Sequence, residues 1–260
     1  MVSKIIHTKG FKWLIALTLI VIFLVSYANA GKRYIKNTTT HGNALTEKER
    51  LNYENISVTY EKNMPGNVLE QCRAAIEKMP VDAVSGFIGE DWKIVVTSEI
   101  TLPKETNLSV MVDGNSSVIG YTDYQQRTLN VLCNDQQPSV TIPLAHEFCH
   151  YNDKFFGELY FANDGFYTEP PEVYLVSFTK DFEKLFLEYR DTYVEFEKSG
   201  IIRSEDNEMD FTYPVSNPEE FFACSLKDYL MHPSYIKTHY CDLYLFFNLM
   251  LDGNLPKHGG

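Results

Sequence analysis

The residues best equipped for chemistry lie in one short string, His146-Glu147-Phe148-Cys149-His150. Imidazoles four residues apart stack one turn from each other on the same helix face, so both can converge on one cation. Zinc takes such ligands in tetrahedral sites, and a catalytic zinc keeps one position open for water. Glu147 projects at a neighbouring angle, where its carboxylate can take a proton from a water that the metal has made acidic. The bland alternative is an exposed helix face carrying two ordinary histidines. The stretch Val140 to Ala145, largely apolar and suited to starting a helix, speaks for a buried one instead.

The elements that must position this string can be traced outward from it. Pro143 suits the first turn of its helix and Gly157 its end. Upstream, Val68, Cys72, Ala75, Ile76 and Met79 share one helical face, and Pro80 closes that segment. Trp92 to Val96 reads as a strand, with Leu108 to Val112 and Leu129 to Leu132 as further short strands around the turn-forming Asp113-Gly114-Asn115. Downstream, Phe178, Phe182, Leu185, Phe186, Tyr189, Tyr193 and Phe196 form an aromatic stripe at helical spacing that stops at Gly200 and reads as core. Helices over about 218–231 and 235–251 follow. Strands first and helices after predict an α+β domain, a small mixed sheet with the His-bearing helix followed by a mostly helical C-terminal lobe.

Residues 1–30 have the make-up of a secretory signal peptide: Lys4, Lys9 and Lys12, then an apolar run from Trp13 to Val25, then Ala28-Asn29-Ala30 ahead of Gly31. The run is short for a membrane span, so no stable span is expected after its removal, although the same segment left uncleaved would be an anchor. Residues 31–58 are polar and read as a linker, leaving 59–260 for the folded domain. Losing the three lysines takes the net charge from −12 to −15. Such an acidic chain repels nucleic acid, which is excluded as a partner. Five cysteines remain, Cys72, Cys133, Cys149, Cys224 and Cys241, an odd number with no C-x-x-C pair.

The third ligand comes from a resemblance. His146-Glu-Phe-Cys-His150-Tyr-Asn-Asp153 and Tyr213-Pro-Val-Ser-Asn-Pro-Glu-Glu220-Phe-Phe-Ala resemble the two motifs of the anthrax lethal factor-like zinc metallopeptidases, among them the secreted bacterial Pro-Pro endopeptidases. The resemblance implies a zincin-like fold over 59–260 and one Zn2+ per chain held by His146, His150 and Glu220. It further implies Glu147 as general base, and Tyr213 facing the reacting oxygen or standing as a further ligand, directly or through water. Its substrate class would be a protein or peptide, cut outside the cell. A carboxylate completing a His₂Glu set leaves the open position that catalysis needs, and a phenol can donate to a developing oxyanion. From the residues alone Glu219 fits a helix start as well as Glu220 does, and Tyr213 fits a core aromatic beside Phe211. Asp153 reads equally as a partner for the far nitrogen of a ligand imidazole or as a solvated helix charge.

The chain also departs from that family. It is longer between His150 and Glu220, with the excess at 158–172, and it has no Trp between 101 and 121, where the Pro-Pro enzymes carry one. Cys149 and Cys224 stand one turn after His146 and Glu220 and read either as a disulfide tying two ligand helices or as buried free thiols. The remaining alternative in function is a non-catalytic binding protein with the same fold.

Overall fold

A computed structural model describes residues 55–61, 64–102, 108–112, 118–161, 173–196 and 217–255. All lie within one compact unit, Leu45–Gly260. The signal segment, the linker up to residue 54, Tyr213 and most of the 158–172 excess fall outside the described residues.

Five strands form one mixed sheet: β1 Ser57–Tyr60, β2 Lys93–Thr97, β3 Leu108–Val112, β4 Val118–Asp123 and β5 Thr128–Leu132, in the order β1-β2-β5-β4-β3. β1, β2 and β5 run parallel, while β4 is antiparallel to both β5 and β3. In β2, Ile94 and Val96 are buried between an exposed Lys93 and half-buried Val95 and Thr97, the period-two pattern of a strand with one covered face. Parallel neighbours need a crossover, and two helices, α1 Val68–Ile76 and α2 Val81–Gly89, supply it between β1 and β2. The β4–β5 hairpin turns on Asp123, whose carboxylate accepts from the backbone N–H of Gln125 and Gln126, and on Arg127 in the left-handed region at φ 56°.

The sheet, α1 and α2 all pack on a central helix, α3 Thr141–Phe161. Every residue of α3 from Pro143 to Asp153 is buried. The C-terminal lobe consists of a 3-10 turn at Val176–Phe178, then α4 Lys180–Tyr189, α5 Pro218–Met231, α6 Pro233–His239 and α7 Cys241–Leu251. α5 lies against α3 and is buried continuously from Glu220 to Tyr229. Asn217 caps α5 by accepting from Glu220 N–H at 2.9 Å, and Pro218 takes the first-turn position where no N–H is needed. The molecule is therefore α+β, with a small mixed sheet and a helical C-terminal lobe, as expected.

Several boundaries differ from the sequence expectation. β1 begins at Ser57, two residues inside the expected linker, because Val58 packs on the core although the strand's other residues face outward. α3 runs through Gly157 to Phe161: a side chain at 157 would collide with the Tyr174 carbonyl, so this glycine permits a close crossing and does not end the helix. The aromatic stripe is not one helix. α4 stops at Tyr189, and Phe178 is 57% exposed, while Phe182, Phe186 and Tyr193 are buried as core. The helix expected over 235–251 is broken at Tyr240, whose buried hydroxyl donates to Thr192 C=O and accepts from Val194 N–H, pinning the break to the 192–194 segment.

Candidate metal centre

α3 and α5 meet at three side chains. His146 and His150 come from one face of α3, and Glu220 comes from the first turn of α5. His146 Nε2 lies 3.1 Å from Glu220 Oε2 and 3.1 Å from His150 Nε2, and His150 Nε2 lies 3.5 Å from the same Glu220 oxygen. The three ligand atoms thus lie within 4.8 Å of one another, and the three residues are buried. Glu219, the neighbour that sequence could not separate from Glu220, takes no part in this group. The donor set fits a divalent metal: two imidazole nitrogens and one carboxylate oxygen lie close enough together to share one ion.

Burial and mutual attraction set the charges of the site in the metal-free chain. Burial works against charge on Glu220, but His150 and His146 outweigh it and hold the carboxyl well below its ordinary value. Burial likewise opposes charge on His150, yet the Glu220 carboxylate, with Glu147 and Glu219 adding to it, pushes its pKa up to about 9. For His146 burial prevails over Glu220 and the pKa is lowered, which favours the neutral ring that ligates a cation.

Glu147 stands beside the triad, fully buried. Its Oε2 accepts from Thr122 Oγ1 at 2.7 Å, while Oε1 has no hydrogen-bond partner among the described residues. Burial raises its pKa to about 8, with His150 and the Thr122 hydroxyl opposing that shift. Room for this carboxylate comes from β4. A Cβ on Gly120 would lie 2.6 Å from Glu147 Oε1 and 3.0 Å from its Cγ. Gly120 and Thr122 occupy one face of the strand, two residues apart, so together they shape and hold the Glu147 side chain. Neither was found from sequence. The signal, a glycine and a hydroxyl at i and i+2 of a strand, is too common to single out without the helix it faces.

Asp153 is neither solvated nor bonded to a ligand imidazole. It is buried, with Oδ1 accepting from Ser177 N–H at 2.8 Å, which ties α3 to the 3-10 turn. Its Oδ2 and His150 Nδ1 both lack a hydrogen-bond partner among the described residues. Cys149 and Cys224 are buried free thiols, so the disulfide reading fails. Cys224 is instead engaged with His146, its Sγ 3.7 Å from Nδ1. Tyr213 lies outside the described residues.

No model of a known protein family matches the chain, and no curated protein matches it. Among solved structures it is similar to the Pro-Pro endopeptidase from Paenibacillus alvei, with a TM-score of 0.43 and 16% identity over 75% of this chain and 96% of that one. A likeness so distant assigns neither family nor activity.

Proposed function

We propose that the chain is a zinc-dependent endopeptidase that is exported and hydrolyses peptide bonds of protein or peptide substrates. The observation that carries this reading is the meeting of His146, His150 and Glu220 next to a buried Glu147 carboxylate with one oxygen held by Thr122 and the other open. A carboxylate whose open oxygen stands beside a set of metal-ligating side chains is placed to take a proton, which a fold that only bound a partner would not need. That weighs against the non-catalytic reading.

His146, His150 and Glu220 would hold the ion, one per chain. A zinc ion there supplies Lewis-acid polarisation of the scissile carbonyl and acidifies water at neutral pH. Glu147 takes the proton from the attacking water on its open oxygen and passes it to the departing amine. A base whose pKa lies near neutrality suits both halves of that transfer, and burial moves Glu147 toward it. Thr122 keeps the carboxylate in one rotamer, so the open oxygen is presented in a fixed direction. Tyr213, in the role that its motif spacing suggests, donates its phenol hydrogen to the developing oxyanion.

The deciding experiment is a peptide-library cleavage screen with purified protein and with Glu147→Ala. Wild type is expected to cut internal bonds and the variant to lose cleavage while retaining zinc; a variant that still cuts removes this mechanism. Export is tested separately by N-terminal sequencing of the protein released by its host, with Gly31 as the expected start. No helix among the described residues is long and apolar enough to cross a membrane.

A further inference from the structure

His146 belongs to two buried clusters at once. One is the triad with His150 and Glu220; the other joins it to Cys224 and Glu195. In the second, Cys224 Sγ lies 3.7 Å from His146 Nδ1 and within 4.8 Å of a Glu195 carboxylate oxygen, and Glu195 Oε1 accepts from Lys227 Nζ at 3.0 Å. Cys224, Glu195 and Lys227 are all buried, at 0, 4 and 1% exposure. Residue types alone would permit a second metal here. The ammonium of Lys227 argues against it, because the carboxylate that a second cation would need already faces a buried positive charge.

We infer that Cys224 and Glu195 orient the His146 ring as a relay: Nδ1–H donates to Cys224 Sγ, the thiol hydrogen donates to the Glu195 carboxylate, and Lys227 anchors that carboxylate. The inference rests on the metal-centre reading above. A donor bond at Nδ1 fixes the tautomer whose Nε2 lone pair faces the metal, and a carboxylate behind it raises the basicity of that nitrogen. The thiol suits the middle of the relay, since sulfur accepts from the ring while its single hydrogen goes on to Glu195. α5 thereby serves His146 twice, with Glu220 on the metal side of the ring and Cys224, one turn later, on the other. Glu195 enters from the segment after α4, which Asp228 holds in place by accepting from Tyr193 Oη–H at 2.7 Å and Phe196 N–H at 2.9 Å. Cys224 and Glu195 are positioning residues, since only His146 would touch the metal.

Cys224→Ala and Cys224→Ser test the relay by zinc titration against a chromophoric chelator. Alanine is expected to weaken zinc binding by about 10–100-fold, the usual cost of losing such a support, and serine to restore it to within a few-fold of wild type. The two replacements are close in volume, so a thiol that merely filled space would leave both equally weakened. That result, or an alanine variant that binds as tightly as wild type, overturns the relay. A second measurement needs no metal. The infrared S–H stretch of Cys224 in metal-free protein, assigned as the band lost in Cys224→Ser, is expected to shift in Glu195→Gln. Should that variant not fold, Glu195→Gln combined with Lys227→Met removes the unpaired charge and reads the same band. An unmoved band refutes the thiol–carboxylate link whether or not zinc binds, whereas a wild type that takes up no zinc refutes the metal centre.

Discussion

The two sides of the His146 ring carry clusters made of the same kinds of residue and put to different ends. On the Nε2 side, two imidazoles and a carboxylate converge, and the Glu220 carboxylate faces the two histidines at 3.1 and 3.5 Å. On the Nδ1 side the acids arrive with partners: Glu195 faces Lys227 at 3.0 Å, Lys227 lies 3.7 Å from Asp228, and Asp228 accepts from Tyr193 and the Phe196 N–H. A buried acid that finds its counter-charge within the chain holds helices together. One whose partners are imidazoles, which can give up their protons to a metal, makes a place for an external cation. Residue type alone does not separate these cases; the source of the positive charge does.

The sharpest way to break this contrast is to delete one member from each side. His150→Ala should abolish stoichiometric zinc binding, measured by metal analysis after dialysis, and abolish peptide cleavage with it. Lys227→Ala should do the reverse. It leaves two buried carboxylates short of a counter-charge, so unfolding stability should fall by about 3–5 kcal/mol, read from urea denaturation. Zinc should still bind at one per chain, weakened no further than loss of the relay predicts. If His150→Ala instead destabilised the fold as severely as Lys227→Ala and zinc remained, the division between the clusters would be wrong.

A smaller effect sharpens the place of Glu147, whose open oxygen stands beside the metal-side cluster. Gly120→Ala would put a methyl group 2.6 Å from Oε1. The carboxylate must turn aside, against its bond to Thr122, while a Cβ at 120 has only Glu147 atoms as its nearest neighbours and none of His146, His150 or Glu220. A misplacement of about 1 Å can cost on the order of 100-fold in rate. The expected result is a kcat lowered by about 10–100-fold with KM and zinc content near wild type. Equal losses in kcat and zinc would instead show that β4 supports the ligands themselves.

What could be read from the sequence follows from the range of the interactions involved. His146 and His150 are fixed by the pitch of one helix and were visible locally, whereas Glu220 could be told from Glu219 only through the resemblance, since both sit in the first turn of a helix. Gly120 acts on a residue of another element and Glu195 on a cysteine in a different helix, and no local pattern encodes either meeting. β4 escaped notice because its burial includes Gly120, Thr122 and Asp123, which break the apolar alternation that marks strands. α2, Val-Asp-Ala-Val-Ser-Gly-Phe-Ile-Gly, is weak in helix-forming residues and is held by packing on α3. Of the two strands hidden from pattern reading, β1 and β4, the second is thus the one whose polar face serves the site. Where chain segments cross closely, as at Gly157, a glycine looked like a stop signal because only the partner backbone distinguishes the two uses.

Asp153 tests the comparison most finely, since it lies one turn beyond His150 and belongs to neither cluster. Burial, with Glu219 adding to it, raises its pKa from 3.8 to about 7 against the opposing bonds from Ser177 and the pull of His150. Between pH 4 and about 7 the folded protein then keeps a proton that the unfolded chain has released, so stability must fall as pH rises through that window and level off above it. Asparagine keeps the acceptor for Ser177 N–H but cannot ionise. In metal-free protein the urea midpoint of Asp153→Asn, relative to wild type, should therefore climb between pH 4.5 and 7.5, the gain arising from wild type's decline. A constant difference would mean that Asp153 is already ionised inside the fold at the lower pH, with His150 as its counter-charge. In that event the metal-side cluster would contain four residues, and the boundary between architecture and chemistry would have to be moved one turn along α3.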